Sequence, residues 1–179
     1  KDATRLYVGT RGSRSIQTVD LESRRAIGTI PVPQINPRES FWVEGLAVRP
    51  GTQDVLGITV HDTAGWMNWR AMMIGPNGKM LPDWAPRSHP DYLAGRIVFF
   101  SPSGNRLQIM NPDALSGQSG MWSLPVTSSG VTYEEKQRPR PGATVAHCGD
   151  LVFTPDGNMY DGETLDWRGK VEVPSSDDA

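Results

Sequence analysis

The sequence predicts an all-β, β-propeller-like chain, and three observations predict it. Short apolar, β-branched runs alternate with turn residues along nearly the whole length. The 19 Gly and 15 Pro are scattered between those runs instead of gathered in one linker, so turns are many. A turn signature also recurs at a near-constant interval, and a repeat of about 50 residues carrying four strands has the size of one propeller blade.

Residues 5–10 (Arg5-Leu6-Tyr7-Val8-Gly9-Thr10), 15–21 and 26–32 read as three antiparallel strands of a meander, separated by Arg11-Gly12-Ser13-Arg14 and Glu22-Ser23-Arg24-Arg25. A fourth run, Gly45-Leu46-Ala47-Val48, stops at Arg49-Pro50-Gly51, where Pro removes a donor and Gly permits the turn, and it would close the first blade. In the second unit residues 55–60 form a strand, and 69–74 and 79–81 flank Pro76-Asn77-Gly78, a hairpin signal. The third unit is less regular, with strands at 107–110, 121–126 and 131–135 and Ser/Gly-rich insertions at 116–120 and 127–130. In the fourth, 159–167 and 170–173 supply two strands before an acidic tail, 175–179, that is expected to be disordered. No segment sustains a period near 3.6, and a short helix can be argued only at 66–73, where turn residues bracket it closely.

The recurring signature is Arg49-Pro50-Gly51-Thr52-Gln53-Asp54-Val55, then Ser101-Pro102-Ser103-Gly104-Asn105-Arg106-Leu107, then Thr154-Pro155-Asp156-Gly157-Asn158-Met159-Tyr160. Lys1-Asp2-Ala3-Thr4-Arg5-Leu6-Tyr7 is a fourth copy with Pro and Gly replaced. Aligning positions 1, 50, 102 and 155 gives steps of 49, 52 and 53 residues. The units are then 1–49, 50–101, 102–154 and 155–174, about three and a half four-stranded blades in one array over 1–174. Rings close with roughly four to eight blades, so the array is an incomplete ring. Its end faces should leave apolar residues such as Tyr7, Val8 and Val19 partly uncovered.

Leu6-Tyr7-Val8-Gly9-Thr10, Ser15-Ile16-Gln17-Thr18-Val19-Asp20 and Ile27-Gly28-Thr29-Ile30-Pro31-Val32, in that order, resemble the YVTN-type β-propeller repeat. Position 9 is Gly where the pattern has Thr, and position 10 is Thr where it has Asn. The match is specific over residues 1–50 and loose beyond them. The resemblance implies a blade of a periplasmic, secreted or surface-layer propeller used as a rigid scaffold or binding disc. Related propellers include dehydrogenase subunits and lactonase-like enzymes, but none of their catalytic residues carries over by motif.

A formal charge of −2 gives no whole-domain field toward nucleic acid or an anionic membrane. The longest apolar run, around residues 97–100, is far too short to cross a bilayer as a helix, so the chain is not expected to span a membrane. The expected location is periplasmic or extracellular, with a leader already removed or lying outside the sequence. Cys148 is the single cysteine, so no intrachain disulfide and no CxxC motif can form.

Candidate chemistry is sparse. His61, His89 and His147 are the three histidines, and His147 and Cys148, adjacent on a strand, point to opposite faces and cannot easily share a metal. The plainer role for the pair is to open a strand, with the thiol packed as a small apolar group. Asp156 to Glu163 looks superficially like a calcium loop but fails its spacing, with Tyr160 at the fifth position and no Glu at the twelfth, so a turn is expected there. Arg138-Pro139-Arg140-Pro141 reads as a stiff, extended connector. Carboxylates such as Glu44, Asp54, Asp62, Asp91 and Asp113 sit near strand ends, and sequence alone cannot pair them. No nucleophile elbow, P-loop or zinc-protease motif occurs.

The densest aromatic and Met region holds Trp66, Trp69, Met72, Met73 and Trp84. Such side chains commonly fill gaps between sheets, and they also serve as protein interfaces or ligand platforms; these five are the interface candidates. The expectation is a non-catalytic, extracytoplasmic scaffold or protein-binding propeller module with no cofactor or metal, completed by a protein partner or by its own copies. A propeller hydrolase or dehydrogenase subunit whose site is finished by other blades is the alternative, and a β-sandwich with sugar-binding tryptophans is a third.

Overall fold

The computed structural model describes residues 4–10, 13–32, 41–62, 69–82, 97–111, 120–132, 137–138 and 145–172. Strands β1 (Arg5–Gly9), β2 (Ser15–Asp20) and β3 (Arg25–Pro31) form a first sheet, and β4 (Phe41–Val48), β5 (Leu56–Asp62) and β6 (Trp69–Ile74) a second. The third contains β7 (Ile97–Phe100), β8 (Arg106–Asn111), β9 (Gly120–Thr127) and β10 (Gly130–Val131), with β11 (Gln137–Arg138) pairing with β9. The fourth contains β12 (Ala146–Cys148), β13 (Leu151–Phe153), β14 (Asn158–Asp161) and β15 (Trp167–Lys170). Every neighbouring pair is antiparallel, and the chain is all-β, an incomplete propeller of four small sheets.

Local chemistry places the turns. Asn77 and Gly78 take positive φ of 70° and 71°, the backbone pair that an Asn-Gly turn supplies, so β6 folds back and Ile74 bridges Met80. The region argued as a helix contributes β6 instead, over residues 69–74; residues 66–68 lie outside the described residues. The segment 159–167, expected as one strand, is broken after Asp161. There the Asp161 carboxylate accepts from the Glu163 and Thr164 amides at 2.9 and 2.8 Å and folds the chain into a turn, with Leu165 at φ 59°.

Hydrogen bonding also shifts the phase of the repeat. The run ending at Val48 does not close the first sheet; β4 pairs with β5 across the turn, where the Arg49 amide donates to the Val55 carbonyl at 2.8 Å. Turns 49–55 and 101–105 thus join the first and second strands of their sheets, whereas Thr154–Asn158 joins the second and third. The signature marks a tight antiparallel turn, not one fixed place in a blade.

The inner sheets are buried on both faces, and their strands read as nearly continuous apolar runs for that reason. On β5, Leu56, Ile58 and Val60 join Tyr7, Ile16 and Val32 of the first sheet in one core. Met73 and Ala71 on β6 face the other way, against Leu107, Ile109, Trp122 and Leu124 of the third sheet. Met110 and Met121 turn from the third sheet toward Val152, Tyr160 and Leu165 of the fourth. Burial of such side chains contributes about 1.5–3 kcal/mol each, so the three cores hold the arc together. Tyr7, expected at an uncovered end, is buried because it faces the second sheet; Val8 and Val19 stand half-covered on the opposite face.

Candidate functional site

The sheets are joined by polar contacts as well as by apolar cores. The Tyr7 hydroxyl donates to the Gln53 carbonyl in the turn of the second sheet. Arg49 Nε donates to the Gly104 carbonyl at 2.9 Å, tying that turn to the turn of the third sheet. Glu163 accepts from Ser101 Oγ at 3.1 Å, Ser103 Oγ at 2.7 Å and the Ser103 amide at 3.2 Å, while buried Gln108 donates from Nε2 to the Gly162 carbonyl at 2.8 Å. Sequence reasoning missed these ties because it treated the repeats as turns alone. The available signal was weak: a long polar side chain beside each Pro or Gly, as at Arg49 and Glu163.

Among the described residues no sheet packs beyond the first. Tyr7 and Ile16 face the second sheet, so alternation turns Leu6 and Val8 outward. Leu6 pairs with Val19, which pairs with Ala26, and Val8 pairs with Gln17, which pairs with Thr29. These rows form an outward face with an apolar centre. Strand β1 occupies the place of a second strand, since it lies against β4 as β5 lies against β7. Residues on the matching strands that face the preceding sheet, Leu56, Leu107 and Val152, are each 0% exposed, whereas Leu6 is 49% exposed.

The interface candidates separate. Met72 and Met73 are fully buried, Met72 in the core shared with the first sheet and Met73 in that shared with the third, so neither offers a surface. Adjacent residues of one strand point to opposite faces, and a strand sandwiched between two sheets buries both. Trp69 pairs with His61 in the β5–β6 ladder, and Trp66 and Trp84 lie outside the described residues.

The polar candidates are dispersed. On the second sheet the Trp42 and His61 rings lie 4.7 Å apart, and Trp42 Nε1 donates to Glu44 at 2.7 Å. Asp54 sits in the turn at the other end of that sheet, so Glu44 and Asp54 are not brought together. His147 meets the Phe99 ring edge-on at 4.7 Å, and burial there pushes its imidazole below the usual histidine range. Cys148 is exposed and does not pack as an apolar group, because it faces away from the third sheet. His89, Asp91 and Asp113 lie outside the described residues.

In the segment resembling a calcium loop, Glu163 turns to the third sheet, while Asp156 and Asp161 hold the turns and the strand of the fourth. Asp156 accepts from the Thr154 hydroxyl and from Asn158 Nδ2, and the first of these holds its carboxyl below the usual range. Arg168 Nη2 donates to Asp161 Oδ2 at 2.6 Å and, with the Thr164 and Glu163 amides, lowers Asp161 to about 2. Burial raises the Tyr160 phenol, with the Asp156 charge adding to it. Among the described residues no three His, Cys, Asp or Glu side chains gather as metal ligands, and no helix is long and apolar enough to cross a membrane.

No family model matches the chain, and no curated protein matches it. Among solved structures, a chain in the "Crystal Structure of Mitotic Checkpoint Complex" is similar with a TM-score of 0.55 and 16% identity, over 94% of this chain and 49% of the other. At that identity the likeness shows the fold, which is propeller-like. The chain spans about half the length of that neighbour.

Proposed function

We propose that the protein is a protein-binding propeller module whose arc is continued by further β-structure packed against the outward face of its first sheet. The observation that carries this reading is Leu6, which is 49% exposed at a position that the other three sheets bury completely. A repeat that places an apolar side chain there on every sheet prepares the first sheet for a neighbour. The similar structure is a chain of a protein complex and has about twice this length, which supports the same reading.

The test is a photo-crosslinking residue placed at position 6 in the protein expressed in its native cells, with position 52, an exposed turn residue, as control. Defined adducts at position 6, identified by mass spectrometry, should be absent at position 52 and should disappear when Leu6→Asp is combined with a crosslinker at position 8. Equal adducts at both positions, or none at position 6, would refute the reading.

A further inference from the structure

The turn between β6 and residues 79–81 holds the chain's single Asn-Gly pair. We infer that this turn is a site of spontaneous covalent modification: the Gly78 nitrogen displaces the side-chain amide of Asn77, and the product loosens the arm that follows. Neither the site nor its effect depends on what the module binds.

The step needs a side-chain carbonyl carbon, a following backbone nitrogen able to reach it, and little bulk beside that nitrogen. Gly78 N, deprotonated by solvent base, attacks Asn77 Cγ; the new N–C bond closes a cyclic imide as the Cγ–Nδ2 bond breaks and ammonia leaves. Water then opens the imide at either carbonyl, giving aspartate, or isoaspartate whose main chain runs through Cβ and Cγ. Asparagine is the labile residue type, but its neighbours decide where it reacts. Asn36 and Asn111 precede proline, which has no N–H to lose. Asn68, Asn105 and Asn158 precede Trp69, Arg106 and Met159, whose side chains crowd the nitrogen, whereas glycine adds no Cβ beside it.

Two Asp-Gly pairs could close the same imide, and their surroundings oppose it. The Asp156 carboxylate accepts from the Thr154 hydroxyl and Asn158 Nδ2, and the Gly157 amide donates to the Thr154 carbonyl at 2.9 Å. Asp161 accepts from Arg168 and from the Glu163 and Thr164 amides, and the Gly162 amide donates to the Asp150 carbonyl at 2.7 Å. Asn77, by contrast, is exposed, and its carboxamide makes no hydrogen bond among the described residues. The Gly78 amide donates to the Gly75 carbonyl at 3.2 Å, the longest of the three glycine contacts. With Asn77 at ψ 16° that nitrogen is directed into the turn, so the peptide plane swings before attack and gives up this long bond.

The turn sets the register of the arm behind it. The Gly75 amide donates to the Lys79 carbonyl at 2.8 Å, and the Leu81 amide to the Met73 carbonyl at 2.9 Å. Met80 packs against the core shared with the first sheet and Leu81 against the core shared with the third. Gly78 itself lies so near β3 that a Cβ there would stand 3.3 Å from Ile30 Cγ2. Isoaspartate lengthens the main chain by one carbon between two residues of positive φ, and the arm can no longer seat Met80 and Leu81 together.

To test this, the 179-residue chain is aged in mildly alkaline buffer, and isoaspartate is located by peptide mapping and by enzymatic methyl transfer from S-adenosylmethionine. Position 77 should gain isoaspartate at least about tenfold faster than any other Asn or Asp, because its turn opens at the cost of one long hydrogen bond. Asn77→Gly, which keeps the positive φ and lacks the carboxamide, should abolish the signal. The modified fraction, richer by one negative charge, is collected by anion exchange and checked by the same mapping. There the Leu81 amide should exchange hydrogen at least about tenfold faster than in the unmodified chain, with residues 151–153 unchanged. Isoaspartate forming at 77 no faster than at 156 or 161, or a signal that survives Asn77→Gly, overturns the site. A modified fraction in which Leu81 exchanges as before overturns the loosening.

Discussion

Gly57 of the second sheet lies directly against Leu107 and Phe100 of the third, and adding one methyl there tests whether the sheets interdigitate. An alanine Cβ at position 57 would stand 2.3 Å from Leu107 Cδ1 and 3.1 Å from the Phe100 ring. Comfortable carbon–carbon contact needs about 3.5–4.0 Å, so the leucine has to withdraw by more than about 1 Å. Leu107 is fully buried in the core that the two sheets share, so it can withdraw only against its neighbours there. Gly57→Ala should therefore destabilise the protein by about 1–3 kcal/mol, the usual range for overpacking. Urea unfolding followed by tryptophan fluorescence reads this, because Trp122 belongs to the same core. Leu107→Ala alone should cost about 2–5 kcal/mol through the cavity it leaves. In the double variant the two defects fill one another, so the loss should fall short of the sum by at least about 1 kcal/mol. Gly57→Ala within about 0.5 kcal/mol of the parent, or an additive cycle, would refute the packing of these sheets.

Thr59 is fully buried and its hydroxyl has no hydrogen-bond partner among the described residues, so Thr59→Val should stabilise the protein by about 1 kcal/mol in the same urea assay; a loss of that size would show the hydroxyl to be bonded. The Asp161 carboxyl is lowered in the folded protein from 3.8 to about 2, so its stabilising contribution is complete above the unfolded value and is lost as pH falls through the folded one. Thermal melts between roughly pH 2 and 5 should show that loss, and Arg168→Gln should flatten it; an unchanged slope would mean that the pair does not act on folding.

Strand existence was legible because it depends on local chemistry. β-branched runs ended by Pro-Gly or Asn-Gly have few alternatives, and β1, β2, β3, β5, β6 and β8 lie within a residue or two of where pattern places them. Pairing was less legible, since it depends on which edge a strand finds after a turn. Val48 precedes Pro50 whether β4 closes the first sheet or opens the second, and only the ladder to β5 decides. The end of β14 escaped for another reason: Asp161 sits in an apolar-aromatic run, and its turn-forming role requires the amides of Glu163 and Thr164 to come round to it. Met72 and Met73 were misplaced as interface candidates because composition cannot tell a strand between two sheets from a strand at a surface. Leu6 was the opposite case. Its residue type matches Leu56 and Leu107, and only its position, with no sheet beyond it among the described residues, sets it apart.

The polar ties explain why sheets built on one plan need not be interchangeable. A neutral hydrogen bond contributes about 0.5–1.5 kcal/mol, less than one well-buried aliphatic side chain, so the apolar cores supply most of the cohesion. The cores are chemically alike, however, and would accept many orders of stacking. The ties are not alike: a tyrosine hydroxyl meets a carbonyl at the first joint, an arginine meets a carbonyl at the second, and a carboxylate gathers two serines at the third. A sheet moved to the wrong joint would leave Glu163 or Arg49 without its partner, and a charged group stripped of hydrogen bonds costs more than the tie contributes. Order along the arc is therefore enforced by the penalty for mismatch.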